Sequence, residues 1–241
     1  MSRRWRIVLA VAVTALVLFV GAPWVYINVI REPAAESFLD EVTATSLEEM
    51  GDAPTTTLAE SSPAADAVLT DASGTWSVTA ESQAGYRVDE VLFGQNVTAV
   101  GRTNAVTGSV TIADLVVTAA DFTVDMTTVR SDEPKRDAQF ESRIMDVINY
   151  PTATFSLGSP ITVDAAALSA TATHSASGTL TLRGTSKPVE LSVVSAIKDG
   201  RIVLVGEIVI VFADWGIPNP SIPGISTEDS GVLEFSLVLG R

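Results

Sequence analysis

The sequence predicts a mostly-β protein: a single antiparallel β-barrel with one inserted helix, preceded by an N-terminal transmembrane helix. Three observations carry this. From Gly74 onward, short runs that alternate apolar and polar side chains are separated by Gly, Pro, Asn and Asp, the pattern of half-buried strands joined by turns. One run, Arg201 to Ala213 (RIVLVGEIVIVFA), is apolar on both faces. Its β-branched residues favour strand over helix, and it is too short to cross a membrane as a helix. Finally, Ile7 to Ile30 contains 24 residues and no charge. As a helix it would extend about 36 Å, enough for a hydrocarbon core about 30 Å thick.

Composition narrows the function classes. The chain has 241 residues, no cysteine, one histidine (His174) and a formal net charge of −14. No disulfide or thiolate metal site is available, and one histidine argues against a histidine metal cluster or a Ser-His-Asp triad. A strongly acidic chain is a poor partner for nucleic acid, whose phosphates need a basic surface. No phosphate-cradling glycine loop, nucleophile elbow or metal motif is present. The expectation is a non-enzymatic protein with no cofactor and no metal.

At the N-terminus, Arg3, Arg4 and Arg6 precede the apolar segment, and Arg31 and Glu32 follow it. Trp5, Trp24 and Tyr26 lie near its two ends, where amphipathic rings favour the membrane interface. The positive-inside rule keeps the basic end cytoplasmic and sends everything after Arg31 outward. The competing reading is a cleaved signal peptide. Its apolar region is shorter, about 7–15 residues, and the one late small-residue site, Val20-Gly21-Ala22, is followed by Pro23. Residues 1–31 are therefore read as an uncleaved anchor. Residues 32–73 hold ten acidic residues and no basic one. They read as a solvated linker that adds nothing to the core, with a short helix allowed over Glu36–Met50.

The barrel domain occupies 74–241. Strands are expected around Trp76–Ala80, over Gly85–Val91 and Gln95–Thr103, and once or twice within Ser109–Met126. A helix is expected from about Glu133 to Val147, capped by Ser131 or Asp132 with Pro134 in its first turn. Its apolar stripe would be Phe140, Ile144, Val147 and Ile148. Thr152–Leu157 follows as a strand. Gly178–Val194 reads as a hairpin turning at Thr185–Pro188, with Pro188 at the start of the second strand because it cannot donate to a ladder. Asp199-Gly200 is a tight-turn signal, Asp214–Asp229 a long loop, and Val232–Leu239 the last strand. His174 lies in the polar run Thr171–Ser177 and reads as a surface residue. Arg136-Asp137 reads as a pair that closes the helix onto its loops, with a phosphate clamp as the sharper alternative.

In the strand Arg201–Ala213 only one face can point inward. The face of Ile202, Leu204, Gly206, Ile208, Ile210 and Phe212 is assigned inward, with Gly206 leaving room for a chain to pass close to the backbone. Val203, Val205, Glu207, Val209 and Val211 then lie outside, under the helix stripe or a second subunit. Such an interior either fills with side chains or holds one ligand, and spacing alone does not separate these.

A set of fragments does. The run Thr-Thr-Val-Arg-Ser at 127–131 is followed by Arg136-Asp137, and Asn149-Tyr-Pro-Thr-Ala-Thr-Phe155 comes next. Gly178-Thr-Leu-Thr-Leu-Arg-Gly184 precedes Lys187-Pro-Val189, and Phe212-Ala-Asp-Trp-Gly216 and Leu233-Glu-Phe-Ser-Leu237 complete the order. Together, over about residues 74–241, they resemble the YceI-like family. The resemblance implies a lipocalin-like barrel with a long apolar cavity for a polyisoprenoid or other long-chain lipid, located outside the cytoplasm and often in a homodimer. The cavity residues so implied are Phe122, Val124, Met126, Phe155, Leu180, Leu182, Ile202, Leu204, Gly206, Ile208, Ile210, Phe212 and Phe235. Where many members carry a Ser-x-Val-x-Phe-x-Val-x-His run, this chain has Gly85-Tyr-Arg-Val-Asp-Glu90. The alternative function is a structural module of the cell envelope with a filled barrel.

Overall fold

The computed structural model describes residues 4–5, 7, 14, 21–30, 33–41 and 71–241. The strands are β1 (Gly74–Val78), β2 (Gln83–Leu92), β3 (Gln95–Thr103), β4 (Val106–Ala113), β5 (Val116–Asp125) and the short β6 (Arg130–Ser131). Then follow β7 (Thr152–Leu157), the short β8 (Ile161–Thr162), β9 (Ala172–Leu182), β10 (Thr185–Lys198), β11 (Arg201–Val211), the short β12 (Ile225–Thr227) and β13 (Ser230–Gly240). One α-helix, α1 (Pro134–Gln139), follows β6.

Eight strands close the barrel in the order β1-β4-β5-β7-β9-β10-β11-β13, with β13 pairing back onto β1. Every pairing is antiparallel, and closure leaves the barrel without an exposed edge. β13 is shared. Its end, at Leu239 and Gly240, pairs β1, while Val232–Ser236 pair β2. β2 and β3 thus extend the wall as a wing, with β12 on β2 and β6 on β3.

Turns fix the register. Asp114-Leu115, Arg183-Gly184 and Asp199-Gly200 all have positive φ at both positions, the two-residue hairpin whose twist matches that of the strands. Asp199-Gly200 turns where expected. The β9–β10 turn instead falls at Arg183-Gly184, and the expected turn residues Thr185–Pro188 belong to β10. Pro188 pairs with Thr179 of β9, whereas β10 meets β11 only from Val193 on. At Pro188 no second ladder needs the missing N–H.

The inserted helix is shorter than expected. Glu133 caps α1 by accepting from Lys135 N, and the chain passes into a π-helical turn at Phe140–Ile144. The stripe breaks there: Phe140 and Val147 are buried but Ile148 is 89 % exposed. The insertion packs across one end of the barrel, where the Phe140 ring stacks on Tyr86 at 5.2 Å. The valine face of β11 is covered only in part: Val205 is buried, while Val209 and Val211 are exposed.

Residues 33–41, expected to be a solvated spacer, pack on the outer wall of the β13–β2–β3 region. Phe38, in a helical turn at 38–41, is 4 % exposed and lies under the Arg102 guanidinium. Arg87 and Arg102 donate to the Ala35 and Glu36 carbonyls. Glu234, on the outward register of β13, is fully buried beneath this segment, with Arg102 Nε 3.0 Å from its carboxylate. The local reason is one aromatic and two carbonyls that match an outer-wall Arg-Glu-Arg cluster, which composition averaged over 32–73 hides.

Residues 21–30 include an α-turn (Ala22–Val25) and a π-helical turn (Tyr26–Ile30). Among the described residues no helix is long and apolar enough to cross a membrane. Half of the expected span Ile7–Ile30, and most of the linker, lie outside the described residues.

Candidate functional site

Strand alternation puts one side of each barrel strand into a common interior, which holds two adjoining lobes. The larger has a volume of about 170 Å³ and the smaller about 130 Å³. Ala84, Val124, Ala153 and Leu233 line both, so the two lobes adjoin.

The larger lobe is walled by β4, β5, β7, β9, β10, β11 and β13. At one end β8 pairs with Val116 and Val117 of β5. A 3-10 turn, Ala165–Leu168, follows it and packs against β10. Ile161, Val163, Ala167 and Leu168 thus line this end. The smaller lobe lies under the inserted helix and the 212–217 segment. Phe140, Ile144, Met145, Phe212 and Ile217 line it. Arg143 donates to the Asn219 and Pro220 carbonyls and ties the helix to that loop. Trp215 is buried, and Asp214 pairs with Lys187 at 3.4 Å, so this pair anchors the loop.

Of the residues expected to line a cavity, Phe122, Phe155, Leu180, Ile202, Leu204, Ile208 and Phe235 face the larger lobe. Met126, Leu182, Ile210 and Phe212 face the smaller, and Val124 faces both. Gly206 shares their inward register but does not open to the space. A Cβ there would sit 2.6 Å from Cζ of Phe235, its cross-strand partner, and 3.0 Å from the Ser192 carbonyl. The missing side chain makes room for a ring, not for a passing ligand. Gly206→Leu should therefore lower the unfolding free energy by about 1–3 kcal/mol through overpacking. Adding Phe235→Ala should restore much of it, which urea unfolding of the single and double variants would measure.

His174 is the residue that sequence reasoning misplaced. β9 begins at Ala172, so the polar run is strand. Thr173, Ser175 and Ser177 fall on one face, and His174 falls with Ala176, Leu180 and Leu182 on the inner one. Extending the Thr-Leu-Thr-Leu alternation backwards would have found it. His174 lines the larger lobe, and its Nε2 lies 2.9 Å from Ser195 Oγ. Burial holds the imidazole below its ordinary value of 6.5. Between that lowered value and 6.5 the unfolded chain binds more proton than the folded one. Stability is then complete above 6.5 and falls as the pH drops through this window. His174→Gln should flatten the melting temperature over that interval, as calorimetry at stepped pH would show.

In the smaller lobe, Tyr86, Glu90 and Arg136 supply the polar groups. Burial pushes the Tyr86 phenol well above its usual range, so it stays a neutral donor. Arg136 bonds Asp132 and lies 3.8 Å from Glu90, while Asp137 accepts from Ser131 N and Oγ. These contacts close the helix onto its loop and give Arg136 carboxylate partners on both sides. Among the described residues no group of His, Asp or Glu could hold a metal ion.

The comparisons with known proteins agree with this architecture. A YceI-like domain model matches residues 76–239. The chain is similar in structure to a polyisoprenoid binding domain from Saccharophagus degradans implicated in plant cell wall breakdown. That match has a TM-score of 0.56 and 15 % identity, and covers 69 % of this chain and 98 % of that one. It is also similar to BcnA of Burkholderia cenocepacia, with a TM-score of 0.51 and 19 % identity over 67 % of this chain and 98 % of that one. No curated protein matches the sequence. The domain match runs from Trp76 in β1 to Leu239 in β13, the two strands whose pairing closes the barrel, and the chain belongs to the YceI-like family.

Proposed function

We propose that this protein binds a polyisoprenoid or similar long-chain amphiphilic lipid inside its barrel and performs no chemistry on it. The observation that carries the reading is the larger lobe. Its lining is aliphatic and aromatic apart from Thr154, His174 and Ser195, which suits a hydrocarbon chain and little else. Each methylene leaving water contributes about 0.8 kcal/mol, so a dozen give roughly 10 kcal/mol before the chain's ordering is counted. The likeness to a polyisoprenoid binding domain supports the same reading.

The proposal includes a place: residues 7–30 hold the protein to a membrane, with the barrel outside the cytoplasm. The motive is the charge-free apolar run behind three arginines. A second copy paired through the exposed Val209–Val211 face would complete the assembly, and sedimentation of the parent and of Val209→Lys checks this. Organic extraction of protein purified from native membranes, followed by lipid mass analysis, tests the function. One long-chain lipid per barrel is the expected result. A folded barrel without lipid would instead favour a structural envelope module.

A further inference from the structure

We propose that the bound lipid carries an uncharged, hydrogen-bonding head, and that His174 and Ser195 hold it; this rests on the lipid-binding reading above. His174 pairs with Val193 and Ser195 with Ala172, which makes the two side chains diagonal neighbours on the inner face of adjacent strands. Around them the inward register reads Ala176 and Leu180 on β9, and Leu191, Val193 and Ile197 on β10. A wall built only to be filled would carry apolar groups at 174 and 195 too, since a polar pair in an apolar wall is poorly repaid. The bond between Nε2 and Oγ leaves capacity over. The imidazole has a second ring nitrogen, and a hydroxyl has one hydrogen and two lone pairs. Both side chains line the lobe, and a hydroxyl or carbonyl oxygen on a ligand would use this capacity.

Charge excludes the main alternative. Among the residues lining the larger lobe there is no Lys, Arg, Asp or Glu, so a phosphate or carboxylate head would lose its water with no counter-charge in return. The smaller lobe offers no better place. Arg136 is the cation among its lining residues, and its guanidinium already bonds Asp132 and faces Glu90. Its lining carries one cation and one carboxylate, Glu90, so it offers an anion no spare counter-charge. A neutral head at the His174–Ser195 end, with the apolar chain running toward the helix end, satisfies both lobes.

The test uses the full-length chain, stripped of lipid and kept in a non-ionic detergent. It is titrated with geranylgeraniol, geranylgeranyl diphosphate and squalene, and native mass spectrometry reads the bound fraction. The alcohol should bind at least tenfold more tightly than the diphosphate. In the His174→Phe/Ser195→Val variant the alcohol should fall at least tenfold, to the level of squalene, while squalene binding is unchanged. Diphosphate binding as tight as the alcohol, or a folded variant that holds the alcohol as the parent does, overturns the head-group assignment alone. If the variant does not fold, the parent's preference between alcohol and diphosphate decides. Binding of none of the three overturns the lipid reading and this inference together.

Discussion

A tryptophan at position 176 is expected to strip the barrel of lipid, by tenfold or more per mole of protein, while the barrel stays folded. Ala176 is 7 % exposed and stands on the inner face of β9, opposite Leu191 and two residues from His174. A large side chain there projects into the wider lobe, where space exists to receive it. If lipid normally fills that space, the indole replaces it, and the protein's own unfolding free energy changes by less than about 1 kcal/mol. If the barrel is a dry, filled core, the same change overpacks it at a cost of about 1–3 kcal/mol and there is no lipid to lose. Lipid extraction and urea unfolding on the same preparation separate these outcomes. Unchanged lipid in a stable Ala176→Trp protein would place the ligand elsewhere.

Removing Arg102 is expected to destabilise the fold by about 3–5 kcal/mol, the range for a buried ion pair that loses one partner. Glu234 is fully buried and stands directly opposite Glu207 on β11. Burial pushes its carboxyl up, against the pull of Arg102 and Arg87. Arg87 lies 3.9 Å from the same carboxylate, beyond hydrogen-bond range, so it is not already placed to replace Arg102. The same guanidinium lies 4.0 Å over the Phe38 ring and bonds the Glu36 carbonyl, so residues 33–41 should come away from the wall and become open to protease. Arg102→Ala combined with Glu234→Leu removes the stranded charge and should recover a large part of the loss. Urea unfolding with limited proteolysis measures both effects. A loss below about 1 kcal/mol would mean that solvent reaches Glu234 and that the segment is not docked.

Val209 and Val211, the exposed part of the valine face of β11, show where sequence reading reaches its limit. Alternation placed Ile202, Leu204, Ile208, Ile210 and Phe212 on one face and the valines on the other. That much follows from the period of a strand alone. Which element covers the valine face does not, because it depends on where the inserted segment lands. The π-helical turn at Phe140 directs the insertion over the barrel end, where Phe140 meets Tyr86.

The sequence by itself determined the mostly-β class, most strand positions, the Asp199-Gly200 turn and the two alternating faces of β11. All of these are written in local period and turn chemistry, which act over a few residues. Three things were decided only by the tertiary structure. Gly206 accommodates the Phe235 ring across a strand pair between residues 29 positions apart. Ser195 became the partner of His174 only when β10 paired with β9, which set the two side chains beside each other on the inner face. Phe38 became a core residue because Arg87, Arg102 and Glu234, from three strands, form one outer-wall site. The reason is common to all three. Each depends on which side chains closure brings together across distant strands, and a short-range pattern carries no record of that partner.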